Sequence, residues 1–445
     1  IRLGQLNKKV VLVEEDSKLG GICLNHGCIP SKAMIYAAEL FDKIKRSSVV
    51  GIKVDNASID FNKLQEWKNS VVSKLNKGIE FLCKGNKVTV AKGKAFFENS
   101  TKIRITENNN VSYIEFDKSI IATGSKPIEI PAFKFGGNKI LSSTEALKLD
   151  AIPDKLVVIG GGYIGLELGS VYAKLGSKVS VIEMTEQILP GFNKSIVDVL
   201  QKNLQKIGME IYLNAKAEKI ENNKVIANSK KKGRIELDAD KVIVAVGRYP
   251  NTKNLGLENT KVKLDEKGFV KVDNSLKTDD NGIYAIGDIS TGPMLAHKAS
   301  SQGKAVAEII AGEKTAYENL AVPAVIFTDP EIATVGLTEK EAKEKGIGVK
   351  IGKFPFSASG RATTMNETEG FVRIIADNKT GKILGVEIAG NDASDLISEA
   401  SLAIKTGATL EDMASAIHPH PTLSEGLMEA AEATMGKAIH ILNPK

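Results

Sequence analysis

A glycine-rich turn between a predicted strand and a predicted helix constrains the fold more than any other stretch. A buried strand is predicted at 155–159, and the glycines of the turn (Gly160, Gly162 and Gly165) follow it at once. The next predicted strand ends in Glu183, about 20 residues further on. Such glycines let a backbone approach a pyrophosphate, and the helix N-terminus offers it unpaired N–H groups. The spacing predicts a dinucleotide-binding βαβ unit, with a ligand-free glycine turn as the alternative.

Glu183 also indicates which nicotinamide cofactor is used. A carboxylate at the end of the second strand accepts a hydrogen bond from a free ribose 2′-hydroxyl and repels a 2′-phosphate. The residues that follow it, 184–186, supply no arginine that could bind a phosphate. The sequence therefore predicts NAD rather than NADP.

A second chemical feature lies near the start of the chain, in residues 20–32. Cys23 and Cys28 stand here with four residues between them, so a disulfide could close and open with little loss of loop entropy. A structural disulfide or half of a metal site are the alternatives. Zinc needs about four ligands, whereas the one remaining cysteine is Cys83 and the one nearby histidine is His26. The pattern favours a redox pair and no metal.

Length and charge exclude several other classes of protein. A chain of 445 residues is too long for one hydrophobic core, so about three domains are expected. The net charge is +6, and 7 of the 60 basic residues are arginine, with no concentrated basic face. Nucleic-acid binding is therefore not expected. No apolar run approaches the roughly 20 residues that span a bilayer, and three cysteines suit a reducing compartment. We expect a cytoplasmic protein that does not enter membranes.

The first part of the chain repeats features of the βαβ unit. A predicted strand at 9–14 ends in Glu14, which could bind a ribose or be an exposed strand-end charge. Segments 120–125 and 242–248 are both buried strands that run into small-residue turns. Asp288 follows another predicted strand, and could contact a cofactor or cap the helix after it. The sequence therefore predicts an α/β fold with two similar dinucleotide-binding modules.

From about residue 323 the pattern changes to an α+β domain without a dinucleotide fingerprint. Two of the five histidines, His418 and His420, stand here between prolines just before a predicted helix. One of them could act as a general base, with Glu425 holding its other ring nitrogen. Thr422 and Glu425 also fit a capping box. The motif alone leaves both interpretations open.

Taken together, these motifs resemble the pyridine nucleotide–disulfide oxidoreductases (class I), and most closely the members that act on dihydrolipoyl groups. The resemblance covers nearly the whole chain. Its motifs are GGICLNHGCIPSK at 20–32, IATG at 121–124, GGGYIGLE at 160–167, VGR at 246–248, GIYAIGD at 282–288, MLAHKA at 294–299 and HPHPTLSE at 418–425.

The resemblance implies two Rossmann-like domains and a C-terminal α+β dimerisation domain. Residues 1–150 correspond to the FAD-binding domain, 151–273 to an inserted NAD-binding domain, 274–322 to the return to the FAD-binding central domain and 323–445 to the dimerisation domain. The family's first GxGxxG, which binds the FAD pyrophosphate, is not within the printed sequence. FAD binding by a natural chain that began at Ile1 would be in doubt.

The resemblance also implies roles for individual residues. Cys28 corresponds to the thiol next to the flavin, Cys23 to the thiol that meets the substrate, and Lys32 with Glu167 to an ion pair beside the flavin. His420 corresponds to the acid–base histidine and Glu425 to its orienting carboxylate. The implied FAD contacts are Glu14, Lys32, Thr123, Gly124, Asp288, Met294, Leu295 and Ala296. The implied NAD contacts are Gly160, Gly162, Gly165, Glu183 and Gly247.

The activity implied by the resemblance is the oxidation of a protein-bound dihydrolipoyl group, with reduction of NAD. The partners would be a second copy of the chain, which shares the active site, and the lipoyl domain of an acyltransferase or a glycine-cleavage carrier protein. Three alternatives remain: a glutathione-reductase-type enzyme, which would prefer NADPH, a mercuric-reductase-like enzyme, and a non-catalytic flavoprotein scaffold or sensor. Glu183 disfavours the first, the lack of further C-terminal cysteines the second, and the intact Cys23–Cys28 and His420–Glu425 pairs the third.

Overall fold

The structure is a computed structural model that describes residues 1–318 and 321–443. The helices are α1 Arg2–Gln5, α2 Gly21–His26, α3 Cys28–Arg46, α4 Phe61–Gly85, α5 Ser143–Ala146, α6 Tyr163–Leu175, α7 Lys194–Lys206, α8 Ala296–Ala311, α9 Glu339–Glu344, α10 Gly360–Met365, α11 Ala393–Thr406, α12 Leu410–Ser415 and α13 Glu425–Thr434. The strands are β1 Val10–Glu14, β2 Val88–Lys92, β3 Lys94–Asn99, β4 Lys102–Glu107, β5 Asn110–Glu115, β6 Ser119–Ile121, β7 Ser125–Pro127, β8 Ile140–Leu141, β9 Lys155–Ile159, β10 Lys178–Ile182, β11 Glu210–Tyr212, β12 Ala215–Glu221, β13 Lys224–Ser229, β14 Gly233–Asp238, β15 Lys241–Val244, β16 Arg248–Pro250, β17 Ile283–Ala285, β18 Ala324–Ile326, β19 Glu331–Gly336, β20 Val349–Pro355, β21 Phe371–Asp377 and β22 Ile383–Gly390.

The middle of the chain forms a parallel five-stranded sheet in the order β11-β10-β9-β15-β8. Its central strand β9 is a run of apolar residues, and both Val157 and Val158 are almost fully buried. Burial on both faces is typical of parallel strands covered by helices, so the run does not alternate with polar residues. A three-stranded antiparallel sheet, β12-β13-β14, packs against it. This is the predicted βαβ domain.

The first part of the chain contributes shorter sheets. β1 pairs with β2 and β17 with β6, both parallel, and β3, β4 and β5 form an antiparallel sheet. The pairing of β17 with β6 places Ala285 beside Ile121, so the turns after these two strands meet at one edge. Carboxyl ends of parallel strands are where ligands bind in such sheets. The predicted helical region after residue 32 is two long helices, α3 and α4.

The C-terminal part is an antiparallel sheet in the order β18-β19-β22-β21-β20, with α11 and α13 packed on it. Its core consists of aliphatic and aromatic side chains from sheet and helices, including Val372, Ile388 and Leu427. The predicted C-terminal α+β fold is therefore confirmed. The expected segments 274–322 and 323–445 each include residues outside the described ranges, 319–320 and 444–445.

Helices α3 and α6 pack side by side and join the first part of the chain to the parallel sheet. Met34 of α3 and Leu166 of α6 belong to one buried apolar cluster, and Ile326 and Phe371 from the C-terminal domain extend it. The helix that carries Cys28 is thus held rigidly against both neighbouring domains. Within 1–318 and 321–443, no helix is long and apolar enough to cross a membrane.

Candidate active site

Cys23 and Cys28 are joined by a disulfide, as the pattern of residues predicted, with their Cα atoms 4.7 Å apart. Cys23 lies within the short helix α2, whereas Cys28 is the first residue of the 19-residue helix α3. Gly27 separates the two helices with an unusual backbone conformation, and a Cβ added to it would lie 3.2 Å from the carbonyl oxygen of Ile22. Because Cys28 is the first residue of α3, the positive end of the helix dipole stabilises a thiolate at this position.

Lys32 lies one helical turn after Cys28, so its side chain is on the same face of α3. Its Nζ donates to Oε2 of Glu167 on α6 at 2.8 Å, and it lies 4.3 Å from the centre of the Phe327 ring. The Glu167 side chain is only 5% exposed, and its Oε1 accepts the Phe327 backbone N–H at 2.9 Å. The structure brings together these two residues of the predicted ion pair, 135 positions apart in sequence.

The turn after β9 has the backbone that a pyrophosphate site requires. Gly160 has φ +108°, and a Cβ on Gly165 would meet the Gly160 carbonyl oxygen at 2.3 Å, so both positions require glycine. A Cβ on Gly162, the N-cap of α6, would meet nothing within 4 Å. The start of α6 is therefore open to a phosphate, and the backbone fits NAD.

Glu183 follows β10 and lies beside this turn. Its Oε2 accepts the Gly161 N–H at 2.7 Å, and its Oε1 accepts the Thr185 N–H at 2.7 Å. Oε1 also accepts the Thr185 hydroxyl at 2.8 Å, whereas Oε2 can accept a second bond, so the position remains compatible with a ribose hydroxyl. Gly247, with φ +120°, follows β15 at the same edge of the sheet.

The residues expected to contact FAD lie on both of the short parallel sheets. Glu14 ends β1, where its Oε1 accepts the Asp16 N–H at 3.0 Å, and Thr123 donates to the Asn251 carbonyl oxygen at 2.8 Å. The backbone of Asn251 donates in turn to Gly124, which has φ +69°. These bonds fix the turn after β6.

Asp288 lies opposite that turn, and its Oδ2 accepts the Ser125 hydroxyl at 2.6 Å. It does not cap the following helix, because α8 begins at Ala296 with Leu295 as its N-cap and has no side-chain cap. The capping alternative for Asp288 is therefore wrong. Met294, Leu295 and Ala296 lie at this uncapped helix N-terminus, whose N–H groups and nearby carboxylate fit the phosphate and ribityl portions of FAD.

A partly buried arginine in this region was not identified from the sequence. Arg248 donates from Nε to the Ser125 hydroxyl at 2.8 Å and from Nη2 to the Ser125 carbonyl oxygen at 2.7 Å. Burial lowers the pKa of Arg248, and the carboxylate of Asp288 opposes that shift. The VGR motif contains this arginine, but the sequence pattern does not show that its side chain reaches the turn after β6.

The two histidines of the C-terminal motif have different surroundings. Nε2 of His418 lies 2.9 Å from Glu399 and the side chain is 6% exposed, whereas the His420 side chain is 78% exposed. Nδ1 of His420 lies 2.9 Å from Oε1 of Glu425. A carboxylate there selects the tautomer with the proton on Nδ1, which leaves Nε2 able to accept a proton. His420 is therefore the histidine suited to act as a base.

Glu425 is bonded to His420, as one of its two predicted roles requires, whereas the capping box of the other role is not formed. Its Oε2 accepts the Thr422 N–H at 2.8 Å, one bond of a capping box, although the N-cap of α13 is Ser424 rather than Thr422. Partial burial would raise the pKa of Glu425, but the bonds from Thr422 and His420 hold it below its usual range. The carboxylate is thus ionised and fixed where it orients the imidazole.

Sequence comparison identifies the two parts of the chain. Residues 1–303 match the family described as pyridine nucleotide-disulphide oxidoreductase, and residues 322–431 match its dimerisation domain. The chain is 49% identical to a dihydrolipoyl dehydrogenase of Geobacillus stearothermophilus, over 99% of this chain and 94% of that protein. It is 46% identical to one from Haloferax volcanii, over 100% of this chain and 94% of that protein.

Two solved structures have the same fold as this chain. LpdA from Mycobacterium tuberculosis superposes with a TM-score of 0.89 at 26% identity, over 97% of this chain and 96% of that one. RclA from Escherichia coli, described as an HOCl-induced flavoprotein disulfide reductase, superposes with a TM-score of 0.85 at 29% identity, over 97% and 95% of the two chains. The chain belongs to the pyridine nucleotide-disulphide oxidoreductase family.

Proposed function

We propose that the protein oxidises protein-bound dihydrolipoyl groups to lipoyl groups and reduces NAD, as a dihydrolipoyl dehydrogenase. The observation that carries this is the Cys23–Cys28 disulfide at the start of α3, beside the Lys32–Glu167 ion pair. Relatives at 44% to 49% identity over nearly the full chain bear that enzyme's name. The protein is a redox enzyme that uses FAD and NAD.

FAD is held by residues at the carboxyl ends of β1, β6 and β17 and at the start of α8, and NAD by the turn between β9 and α6. We assign residues 1–150 and 274–322 to FAD binding, 151–273 to NAD binding and 323–445 to dimerisation. When bound, the flavin carries electron pairs between the cysteine pair and NAD. The chain's own residues perform the thiol chemistry.

The first chemical step is attack on the disulfide. Nε2 of His420 takes the proton of one substrate thiol, and the resulting thiolate attacks Sγ of Cys23. The Cys23–Cys28 bond breaks, a mixed disulfide forms between substrate and Cys23, and Cys28 leaves as a thiolate. The N-terminus of α3 and the ammonium group of Lys32 stabilise that anion.

The second step releases the product. The other substrate thiol loses its proton and attacks the substrate sulfur of the mixed disulfide, which closes the lipoyl ring and frees the sulfur of Cys23. Two electrons have then passed from the substrate dithiol to the Cys23–Cys28 pair. The His420–Glu425 pair holds one of the two protons released, and the other reaches Cys23 or solvent.

The chain forms a homodimer through its dimerisation domain. We propose that each His420 serves the disulfide of the other subunit. The exposed imidazole lies on the C-terminal domain beside a fully exposed Ile417, and both would be covered by a second copy. A monomer would then lack general-base catalysis.

The second partner is proposed to be a lipoyl domain of an acyltransferase or of a glycine-cleavage carrier protein. The dithiol arm of either carrier presents the same reacting atoms, so the site chemistry fits both. We propose a cytoplasmic location, because a reducing compartment suits the free thiol of the buried Cys83.

The direct test is steady-state turnover of the holoenzyme with dihydrolipoamide and NAD. We expect NAD to be reduced, and NADP to be used poorly because Glu183 repels a 2′-phosphate. In the reverse direction, NADPH-dependent reduction of glutathione disulfide at a higher rate than lipoamide reduction would contradict the proposal and favour the glutathione-reductase type.

A further inference from the structure

Helices α3 and α6 carry a second pair of opposite charges behind the Lys32–Glu167 pair. Glu39 lies seven residues after Lys32 on α3, and Lys174 lies seven after Glu167 on α6, so each helix presents both of its charges on one face. Nζ of Lys174 lies 3.8 Å from Oε1 of Glu39. The cation lies on α3 in the first pair and on α6 in the second pair. The two pairs are about 10 Å apart along the helices.

A cavity links the two ion pairs. About 10 Å³ of it is open to a water molecule, close to the least that one water needs. Its lining includes Glu167 of the first pair and both Glu39 and Lys174 of the second, with Ile35 and Ser170 between them. The two pairs thus interact across a short, poorly solvated gap, where charges are screened less than at the surface.

The C-terminal domain adds a second carboxylate to the cluster. Oδ2 of Asp329 lies 2.8 Å from Nζ of Lys174, whose side chain is 3% exposed. Two residues earlier, the backbone of Phe327 donates to Glu167. The same short segment therefore contacts both ion pairs. The other charged groups around Glu39 and Asp329 are Lys43 and Arg46 on α3, Glu331 on β19 and Glu367 after α10.

Glu39 is the member of this cluster whose charge changes near neutral pH. Burial raises the pKa of Glu39 to about 7, and Asp329 and Glu331 add to this shift while Lys174 opposes it. Below that pH, Lys174 and Asp329 balance each other. Above it, the cluster of Glu39, Lys174 and Asp329 gains one net negative charge.

We propose that Glu39 is a positioning residue of the redox site, whose ionisation sets the charge behind the Lys32–Glu167 pair and so the stability of the Cys28 thiolate. An added negative charge about 10 Å from Lys32 opposes a further anion beside that lysine. The inference depends on the proposed function only in taking Cys28 as the thiol that ionises. Glu39 thus makes the redox site sensitive to pH.

The test uses variants of opposite charge. The holoenzyme is reduced, freed of reductant and alkylated with iodoacetamide at pH 6 and pH 8, and the Cys28 adduct is followed by mass spectrometry. In Glu39→Gln we expect the thiolate-to-thiol ratio at pH 8 to rise about two- to tenfold, which is the effect of removing one charge about 10 Å away in a partly screened medium. We expect no change at pH 6. In Lys174→Met we expect a fall at both pH values.

These opposite signs separate charge from structural damage, because a loosened helix contact would shift both variants in the same direction. A shift of the same sign in both, or an equal effect of Glu39→Gln at pH 6 and pH 8, would overturn the inference. If Lys174→Met does not fold, Asp329→Asn replaces it, with a rise in the ratio at both pH values expected and a fall contradicting the inference. Glu387→Gln, which neutralises a buried carboxylate paired with Arg373, is the control and should change nothing.

Thiol alkylation does not depend on turnover, so the two proposals can fail separately. Absent dihydrolipoamide oxidation, with the opposite shifts of Glu39→Gln and Lys174→Met preserved, would count against the proposed function alone. Normal turnover without the opposite shifts would count against the role of Glu39 alone.

Discussion

Lys32 is bonded to Glu167 at 2.8 Å, which ties the helix that begins at Cys28 to the helix that begins at the glycine turn after β9. The bond lies where all three parts of the chain meet, because Phe327 of the C-terminal part contacts both side chains. This ion pair therefore connects the helix that begins at the disulfide to the helix that begins at the glycine turn. Removal of Lys32 alone or of both side chains should distinguish the pair's effect on stability from its effect on thiolate formation.

Lys32→Met should destabilise the protein by about 2 kcal/mol, because the buried Glu167 carboxylate loses its cation and keeps only the bond from Phe327. The double variant Lys32→Met/Glu167→Gln should recover most of that loss, since the amide oxygen still accepts the Phe327 N–H. Thiolate formation at Cys28 should not recover, because the cation is absent in both. Urea unfolding and iodoacetamide alkylation measure the two effects. Recovery of both in the double variant would contradict a specific role for the ammonium group.

His420→Ala should lower dihydrolipoamide oxidation by about 10² to 10⁴-fold, the usual contribution of general-base catalysis. NADH oxidation by an artificial electron acceptor needs no substrate thiol and should be nearly unchanged. His418→Gln is the matched control, because His418 is a neighbouring histidine that is buried against Glu399. Equal losses of dihydrolipoamide turnover in the two variants would count against the assignment of His420.

Gly162 and Gly165 should respond differently to alanine. A Cβ on Gly162 meets nothing within 4 Å, so Gly162→Ala should fold normally. It should nevertheless weaken NADH binding about tenfold or more, because the methyl group stands where the backbone approaches the pyrophosphate. Calorimetric titration with NADH measures this. Unchanged affinity would place the pyrophosphate elsewhere.

Gly165→Ala should instead destabilise the domain by about 1–3 kcal/mol, the usual range for overpacking. The added methyl would overlap the Gly160 carbonyl oxygen at 2.3 Å and Cγ1 of Val158 at 2.9 Å. Thermal unfolding of the two alanine variants gives the comparison. A Gly165→Ala protein as stable as Gly162→Ala would show that the turn can relax.

Local patterns predicted the elements that hold the site, because such patterns follow from the chain's own periodicity. The βαβ unit was placed correctly because a strand, a glycine turn, a helix and Glu183 follow one another within thirty residues. The bond between His420 and Glu425 was one of two predicted roles for that glutamate, and the structure contains it. The capping box with Thr422 was wrong, because α13 begins at Glu425 with Ser424 as its N-cap. The pattern could not separate His418 from His420, because that depends on Glu399, which lies on α11.

Contacts between distant segments could not be predicted in this way. Arg248 reaches Ser125 across 123 positions, and Lys174 reaches Asp329 across 155. Such pairs depend on how helices and sheets pack, and neither propensity nor periodicity encodes that packing. The role of Asp288 stayed open for a related reason, since the choice depended on where α8 begins. A difference of a few residues excluded the cap, and the cofactor contact stays a prediction.

Glu39 should also make the stability of the protein depend on pH. Its folded-state pKa of about 7 lies above the ordinary value of 4.5. Between those values the folded state binds more protons than the unfolded state, so stability falls as the pH rises from 4.5 to 7. The loss should be on the order of 2 kcal/mol, after allowance for a side chain that is 32% exposed.

Glu39→Gln removes this titration and keeps the side chain's volume. The excess of its free energy of unfolding over that of the wild type should therefore be large at pH 8 and much smaller at pH 5, as measured by urea unfolding at both pH values. Burial also raises the pKa of Glu331 and of Glu367, so the wild-type slope includes their titrations, which the difference between the two proteins cancels. A difference that is the same at pH 5 and pH 8 would mean that Glu39 does not titrate in this range, because only a group that gains its charge between those values can make the two proteins diverge.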